Sequence, residues 1–306
     1  VGHGGQRDAR DCGMTRKIVA ILSDTHAGHK LSLMNPATIL WEDAIGAAEQ
    51  GRDPAPYHPS LTATQRYLWE CYQHDLCEVA ALANDDPLVL VHNGDITQGA
   101  KYPEHLVDET EAAQVEIAAW NLMPWLELPN LKAVRIIHGT QSHEFGRGSA
   151  ARLVVGRLRG ERAGLDIADM RHALFSVDGV LVDVAHHGPS PGIRNWTNGN
   201  QLRYYLRSLM LDAVLGGREP PRVVVRGHFH EYVREWLAFT AAPPHDYQAD
   251  MLMVPGYTML SHYAVQATRS ASTQACGLVA LEVVDGRLAG IHPFWRRLDL
   301  RTKESL

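Results

Sequence analysis

Short apolar runs that end in polar residues recur along the chain and predict buried β-strands. The first run, Lys17 to Asp24, reads KIVAILSD, with aliphatic and β-branched residues at its centre. Four later runs have the same arrangement: Leu88 to Asp95, Ala133 to Thr140, Val180 to His187 and Arg222 to His230. Continuous apolar runs of this length are typical of strands buried on both faces. Each run ends in a cluster of His, Asp or Gly, so we expect five strands that carry polar loops at their carboxyl ends.

Four helices are predicted between these runs, because apolar residues recur there at helical spacing. Their expected bounds are Thr62 to Leu82, Asp108 to Leu126, Gly148 to Arg159 and Asn200 to Leu215. Strands that alternate with helices indicate an α/β, α+β-like layered architecture, in which ligands bind beyond the carboxyl ends of the strands. The polar clusters therefore lie where a functional site is expected.

Two hairpins and one long insertion modify this picture. Asp-Gly dipeptides at Asp178 and Asp285 interrupt apolar stretches and predict tight turns, so the sheet should be mixed. The stretch from about residue 27 to residue 87 is too long for an ordinary crossover and is interpreted as a helical insertion after the first strand. The segment from Ala241 to Asp250, which contains two prolines, is expected to form a loop.

Composition and charge limit the class of protein. With 306 residues, 45% of them hydrophobic, the chain can bury a large core, and we expect a single domain over residues 15–306 after a flexible leader of residues 1–14. A net charge of -6 gives no general attraction to nucleic acid or anionic membranes. No apolar run approaches the ~18 residues of a membrane span, and the four cysteines form no C-x-x-C pair. We therefore expect a cytoplasmic protein without a membrane partner.

Histidine is abundant, with 17 residues against 4 cysteines, and it is the commonest metal ligand. Asp24 and His26 stand two positions apart after the first run, Asp95 ends the second, and His228 and His230 end the last. A turn or a side-chain cap explains each of these motifs singly as well as metal binding does. Their succession at five strand ends, with two more His-bearing motifs between them, favours one shared metal site.

In this order the motifs resemble those of the calcineurin-like metallophosphoesterase family, in a form similar to phage and prophage variants. The resemblance rests on SDTHAG (Ser23 to Gly28), NGD (Asn93 to Asp95), GTQSHE (Gly139 to Glu144), AHHGP (Ala185 to Pro189) and GHFH (Gly227 to His230). It implies a metallophosphoesterase β-sandwich of mixed sheets flanked by helices. It also implies two divalent metal ions bound between the layers of that sandwich.

The resemblance assigns metal-binding roles to six residues. Asp24, His26 and His230 would bind the first ion, His186 and His228 the second, and Asp95 would bridge the two. His187 competes with His186 for its place, because adjacent residues of a strand point to opposite sides and only one is expected to coordinate. A ligand set this rich in imidazole suits Mn first, with Fe, Zn or Ni as alternatives.

The third motif departs from the family pattern, which usually has Gly-Asn-His with the Asn bound to the second ion. Here the three residues TQS separate the Gly from His143, so Gln141, Ser142 or water would have to complete that ion's shell. The resemblance still gives His143 a catalytic role facing the phosphate, where a protonated imidazole can donate a proton to the leaving oxygen. Asp95 would be catalytic with it, as the bridging ligand.

The implied activity is hydrolysis of phosphate esters by a water that two metal ions activate, in a phosphodiesterase or nuclease acting on nucleic acid or a nucleotide. A catalytically impaired metal-binding scaffold of the same fold is one alternative, and a phosphomonoesterase or protein phosphatase is another. The H-x-H-x-D-H string of metallo-β-lactamases does not occur. His187, Arg194 and Asn195 are candidate substrate-binding residues, with a capped helix entrance as the alternative for the last two.

Overall fold

Thirteen β-strands and five α-helices make up the part of the chain that the computed structural model describes, which is residues 14–146, 149–192, 195–242, 245–260, 272–301 and 304. The strands are β1 (Arg16–Leu22), β2 (Leu40–Trp41), β3 (Pro56–Tyr57), β4 (Leu88–Asn93), β5 (Leu131–Ile137), β6 (Asp166–Met170), β7 (His172–Val177), β8 (Val180–Ala185), β9 (Val223–Arg226), β10 (Val233–Ala242), β11 (His245–Met253), β12 (Thr273–Val284) and β13 (Arg287–Asp299). The helices are α1 (Ala44–Glu49), α2 (Ala63–Ala83), α3 (Glu111–Leu126), α4 (Ser149–Arg159) and α5 (Asn200–Leu215).

Two mixed sheets lie at the centre of the fold. One has six strands in the order β13-β12-β1-β4-β5-β6, and the other has five in the order β10-β11-β9-β8-β7. In the first sheet β1, β4, β5 and β6 are parallel, and β12 and β13 are added antiparallel. In the second sheet β8, β9 and β11 are parallel, with β7 and β10 antiparallel at its edges. The parallel strands direct their carboxyl ends to one edge of each sheet.

The alternation of residues along β1 shows how the layers pack. Ile18, Ala20 and Leu22 lie in a buried cluster with residues of α2, α3 and α4. Val19 and Ile21 point to the opposite face and pack against residues of the second sheet. A strand covered on both faces needs apolar side chains at every position, which is why β1 appears in the sequence as an uninterrupted apolar run.

The second sheet is also covered on both faces. Val223 and Val225 of β9 belong to the cluster between the sheets, whereas Val224 packs with Leu206 and Met210 of α5. The order of layers is therefore helices, six-stranded sheet, five-stranded sheet and helix. This arrangement confirms the expected layered architecture with mixed sheets.

The predicted helices and hairpins are confirmed, with small shifts at their ends. The helix expected from Asp108 begins at Glu111, because the Thr110 side chain caps it by accepting a hydrogen bond from the Ala113 N–H. The two Asp-Gly turns join β7 to β8 and β12 to β13, and both Asp178 and Asp285 have a φ of 47°. A positive φ at this position is what the tight turn of a hairpin requires.

The expectation of a loop from Ala241 to Asp250 is wrong. β10 continues to Ala242 and β11 begins at His245, so the described part of the segment lies in two paired antiparallel strands. Tyr247 and Ala249 pack towards α5, two residues apart, as residues on one face of a strand do. The two prolines obscured this alternation in the sequence.

The segment interpreted as an insertion contains β2, α1, β3 and α2. α2 contributes Leu68, Tyr72 and Val79 to the core and connects the parallel neighbours β1 and β4. It is therefore the crossover helix of that strand pair, and the short β2–β3 sheet and α1 precede it. Within the described ranges, no helix has both the length and the apolar character needed to cross a bilayer. Residues 1–13 of the expected leader lie outside these ranges.

Candidate metal centre

The loops that follow β1, β4, β5, β8 and β9 meet at one edge of the two sheets. Among the described residues, four groups of three side chains place ligand atoms within 4.8 Å of one another. These groups are Asp24, His26 and His230; Asp24, Asp95 and His186; His26, Asp95 and His143; and His186, His187 and His228. They include all six residues that the sequence singles out as metal ligands. Buried His and Asp clusters that can hold metal ions are therefore present.

Asp24 lies at the centre of the first group. Its Oδ1 is 3.1 Å from Nε2 of His230 and 3.8 Å from Nε2 of His26. Its Oδ2 accepts hydrogen bonds from the Ser23 hydroxyl and, at 3.1 Å, from the backbone N–H of His228. One carboxylate oxygen is thus fixed by the protein, and the other faces the two imidazoles.

Asp95 faces both halves of the cluster. Its Oδ2 is 3.0 Å from Nε2 of His186, 3.9 Å from Nε2 of His26 and 3.9 Å from Nδ1 of His228. The last two imidazoles belong to different groups, so Asp95 is the side chain that joins them. Its position is the one that a bridging carboxylate needs.

The backbone at these positions is unusual. Positive φ angles occur at Asp24 (52°), His26 (42°), Asp95 (48°), His228 (73°) and His230 (52°). A non-glycine residue seldom adopts such an angle, and each instance costs roughly 1–3 kcal/mol. Nine non-glycine residues in the described ranges have a positive φ, and five of these nine belong to this cluster. Strain of this kind concentrates at functional sites, where the surrounding fold holds it.

Two glycines allow the loops to approach each other closely. A Cβ on Gly94 would lie 2.4 Å from Nδ1 of His186, and a Cβ on Gly139 would lie 2.2 Å from the backbone nitrogen of Asp95. No side chain fits at either distance. The glycines of the NGD and GTQSHE motifs are therefore required by the packing of the cluster, independently of any ligand.

Several buried polar atoms of the cluster have no hydrogen-bond partner among the described residues. They are Oδ1 of Asp24, both ring nitrogens of His26 and Nε2 of His186. Two of them have an ion-pair contact instead, Oδ1 of Asp24 with His230 at 3.1 Å and Nε2 of His186 with Asp95 at 3.0 Å. Asp24, His26 and His186 are 0%, 5% and 1% exposed, respectively. An unpaired buried polar atom costs about 1–3 kcal/mol. Because these atoms face one another, one or more cations bound among them would compensate the cost, and the donor set fits a divalent ion.

The charges in the cluster are strongly coupled. Burial by itself raises the pKa of Asp24 and of Asp95. The imidazoles beside them lower both pKa values well below the usual range. These imidazoles are His230 and His186 for Asp24, and His186 for Asp95. Burial lowers the pKa of His186, yet the carboxylates of Asp95 and Asp24 raise it to about 9. Protonated imidazoles thus balance two buried carboxylates. A bound cation would take over that role and release protons, as metal binding to histidine does.

His143 lies beside His26, with 4.5 Å between the ring centroids. Its Nδ1 is 2.7 Å from the carbonyl oxygen of Gln98, so Nδ1 carries the hydrogen and Nε2 carries the free lone pair. Burial and the neighbouring His26 lower the pKa of His143 to about 4. The side chain is therefore neutral near pH 7, and not in the protonated form that proton donation requires.

The third motif contributes a residue that the sequence did not single out. Thr140 donates its backbone N–H to Oδ1 of Asp95 at 2.5 Å, and its hydroxyl is 3.1 Å from Oδ2 of the same carboxylate. Gln141, one of the expected replacements for the missing Asn, is exposed. Glu144 is buried and accepts the N–H of Gly139 at 2.9 Å, which fixes the loop. Only the position of Thr140 next to a motif glycine could have indicated its role.

His186 and His187 both reach the cluster. His186 is buried, and its Nδ1 donates to the carbonyl oxygen of Asn93 at 2.6 Å, which directs Nε2 towards Asp95. His187 is exposed, and its Nε2 is 3.2 Å from the Thr140 hydroxyl. Of the other substrate-binding candidates, Arg194 and the side chain of Asn195 lie outside the described residues.

No family model matches this chain, and no curated protein matches it.

Proposed function

We propose that this chain is a metal-dependent phosphoesterase whose site is the cluster of Asp24, His26, Asp95, His186, His228 and His230. The observation that carries the proposal is the set of unpaired atoms on Asp24, His26 and His186, which are buried and face one another. Without a cation, protonated imidazoles alone balance the two carboxylates, while the ring nitrogens of His26 stay unpaired and the strained backbone around the cluster remains uncompensated. The fold supports the same conclusion, since ligands collect at the carboxyl ends of parallel strands.

The donor types indicate which ions would bind. Imidazole nitrogens outnumber carboxylates in the cluster, and such sets favour Mn, Fe, Zn or Ni over Ca or Mg. Asp24, His26 and His230 would hold one ion and His186 and His228 the other, with Asp95 between them. Mn is our first choice because it accepts mixed carboxylate and imidazole ligands.

Two ions, when bound, would supply an activated water and offset the negative charge that develops on a phosphoryl group. The protein's own part is to hold the ligands in place before the substrate arrives. Oδ2 of Asp24 is fixed by Ser23 and by the N–H of His228, and Asp95 is fixed by Thr140. Such fixed donors need no rearrangement during the reaction, which is the main source of electrostatic catalysis.

His143 is the candidate for proton transfer to the leaving oxygen. It is neutral in the free protein because burial and His26 disfavour its charged form. A phosphate ester beside it adds negative charge, which favours the imidazolium and raises the pKa of the ring. His143 can then take up a proton from solvent on Nε2 and donate it to the departing alkoxide, while Nδ1 stays bonded to Gln98.

A phosphodiester is the substrate class we favour, with nucleic acid or a nucleotide as the natural candidates. The net charge of -6 gives no long-range attraction to a polyanion, so recognition would have to come from residues around the site. Phosphomonoester or phosphoprotein hydrolysis is the competing activity, and the assay below separates them.

The test compares bis(p-nitrophenyl) phosphate with p-nitrophenyl phosphate, using protein loaded with Mn and analysed for metal content. We expect turnover of the diester above that of the monoester, and its loss in Asp95→Asn. Asp285→Asn is the matched control, because Asp285 has a φ of 47° against 48° for Asp95 but lies in a remote hairpin turn. Bound metal without turnover of either ester would support the scaffold alternative. The absence of both bound metal and turnover would overturn the proposal.

A further inference from the structure

The Thr140 hydroxyl marks a point where three possible ligands converge. It lies 3.1 Å from Oδ2 of Asp95, 3.2 Å from Nδ1 of His228 and 3.2 Å from Nε2 of His187. A hydroxyl can donate one hydrogen bond and accept two, so it can satisfy all three groups at once. His187 and His228 thus share the Thr140 hydroxyl, which itself contacts Oδ2 of Asp95.

His187 also belongs with His186 and His228 by geometry. One ring nitrogen from each lies within 4.8 Å of the others, and the His187 ring centroid is 5.0 Å from that of His186 and 4.9 Å from that of His228. His186 adds a further indication, because it is 1% exposed and its Nε2 lies 3.0 Å from Oδ2 of Asp95, the carboxylate that this group of imidazoles faces. Three imidazoles therefore converge on one side of Asp95.

The expectation that only one of the adjacent histidines can coordinate rested on strand geometry. β8 ends at Ala185, so neither His186 nor His187 is within the strand. Their ring centroids are 5.0 Å apart, so the two side chains do not point to opposite faces of a sheet. The alternation rule does not apply there, and both side chains can face one ion.

We propose that His187 is a metal ligand of the second site, together with His186, His228 and Asp95, and that it takes the place of an amide ligand. This inference rests on the proposed metal-dependent function. Three neutral imidazoles and one carboxylate make a softer set than one that includes an amide oxygen, and such sets favour Zn, Co or Ni over Mn. The second site should therefore select a different metal from the first, which has two imidazoles and two carboxylates.

The test measures metal binding directly. Protein stripped with EDTA is titrated with Co²⁺, and binding is followed by visible absorption and by elemental analysis after dialysis. We expect two ions per wild-type chain. His187→Ala should keep the first ion and lose affinity for the second by at least about tenfold, since even the loss of groups that merely support a ligand costs 10–100-fold. His228→Ala should lower the affinity for the second ion in the same way. His74→Ala, which removes an exposed histidine of α2, should leave the affinity for both ions unchanged.

The outcomes separate the inference from the function on which it rests. Two ions bound with unchanged affinity in His187→Ala would overturn the role of His187, whatever the effect on turnover. If that variant raised KM for the diester while holding both ions, His187 would be a substrate contact and the inference would again be wrong. A wild-type protein that bound no ion would instead overturn the proposed function.

Discussion

Thr140 holds both oxygens of the Asp95 carboxylate, Oδ1 through its backbone N–H at 2.5 Å and Oδ2 through its hydroxyl at 3.1 Å. Thr140→Val keeps the shape and the backbone bond but removes the hydroxyl. We expect kcat/KM for the diester to fall about tenfold, which corresponds to the loss of one hydrogen bond of about 1.4 kcal/mol. Thr140→Ser, which keeps the hydroxyl, should retain activity. Equal activity in the Val and Ser variants would show that the hydroxyl does not position Asp95.

The sequence indicated most of the cluster because its members follow recognisable strands. Asp24, Asp95 and His186 each come directly after or close to a buried apolar run, and parallel strands bring such ends together. Burial on both faces made those runs visible as continuous stretches. The layered fold could therefore be predicted along with the placement of the site.

Other features could not be predicted, because they depend on contacts between loops. The role of Thr140 arises from its distance to a carboxylate 45 positions away in sequence. The orientation of His187 depends on where β8 ends, and a shift of two residues at a strand end is beyond what sequence patterns resolve. The low pKa of His143 results from burial, which the motif itself does not reveal.

Gly94 should tolerate no side chain. A Cβ there would lie 2.4 Å from Nδ1 and 2.7 Å from Cβ of His186, so Gly94→Ala must displace the imidazole. Gly179→Ala is the matched control, because Gly179 has a φ of +93° against +88° for Gly94 but has no atom within 4 Å of its Cβ position. Both variants bear the cost of a positive φ, and only Gly94→Ala adds overpacking of about 1–3 kcal/mol.

The measurement for this pair is the free energy of unfolding in urea together with metal content. We expect the Gly179 variant to bind metal as the wild type does. The Gly94 variant should be less stable than the Gly179 variant and should bind less metal. Equal stability and equal metal content in the two variants would contradict the close approach of the loop to His186.

His143→Ala should reduce turnover much more than metal binding. The ring is held by the Gln98 carbonyl and is the candidate for proton transfer, a role that contributes about 10²–10⁴-fold to a rate. Steady-state kinetics and metal analysis on the same preparation check both parts of the expectation. The effect should be smaller for substrates with a good leaving group such as p-nitrophenolate, since these need little help from an acid. An equal loss with good and poor leaving groups would argue against proton donation.

His92 should make the stability of the metal-free protein depend on pH. It is 0% exposed, and its Nε2 lies 2.8 Å from the Thr25 hydroxyl, whose own hydrogen is donated to the carbonyl oxygen of Ile96. The imidazole therefore donates from Nε2, its Nδ1 has no hydrogen-bond partner among the described residues, and burial favours the neutral ring. Burial lowers its pKa from 6.5 to about 3, so the unfolded chain binds the extra proton between these values.

The contribution of His92 to stability is fully present above pH 6.5 and is lost as the pH falls, by at most about 1.4 kcal/mol per pH unit. His92→Gln should be less stable near pH 7, and its disadvantage should shrink towards pH 4, because only the wild type loses the contribution of His92 while the other histidines titrate alike in both proteins. Urea unfolding in EDTA from pH 4 to pH 7.5 checks this, and a constant difference between the two curves would show that His92 does not remain neutral in the fold.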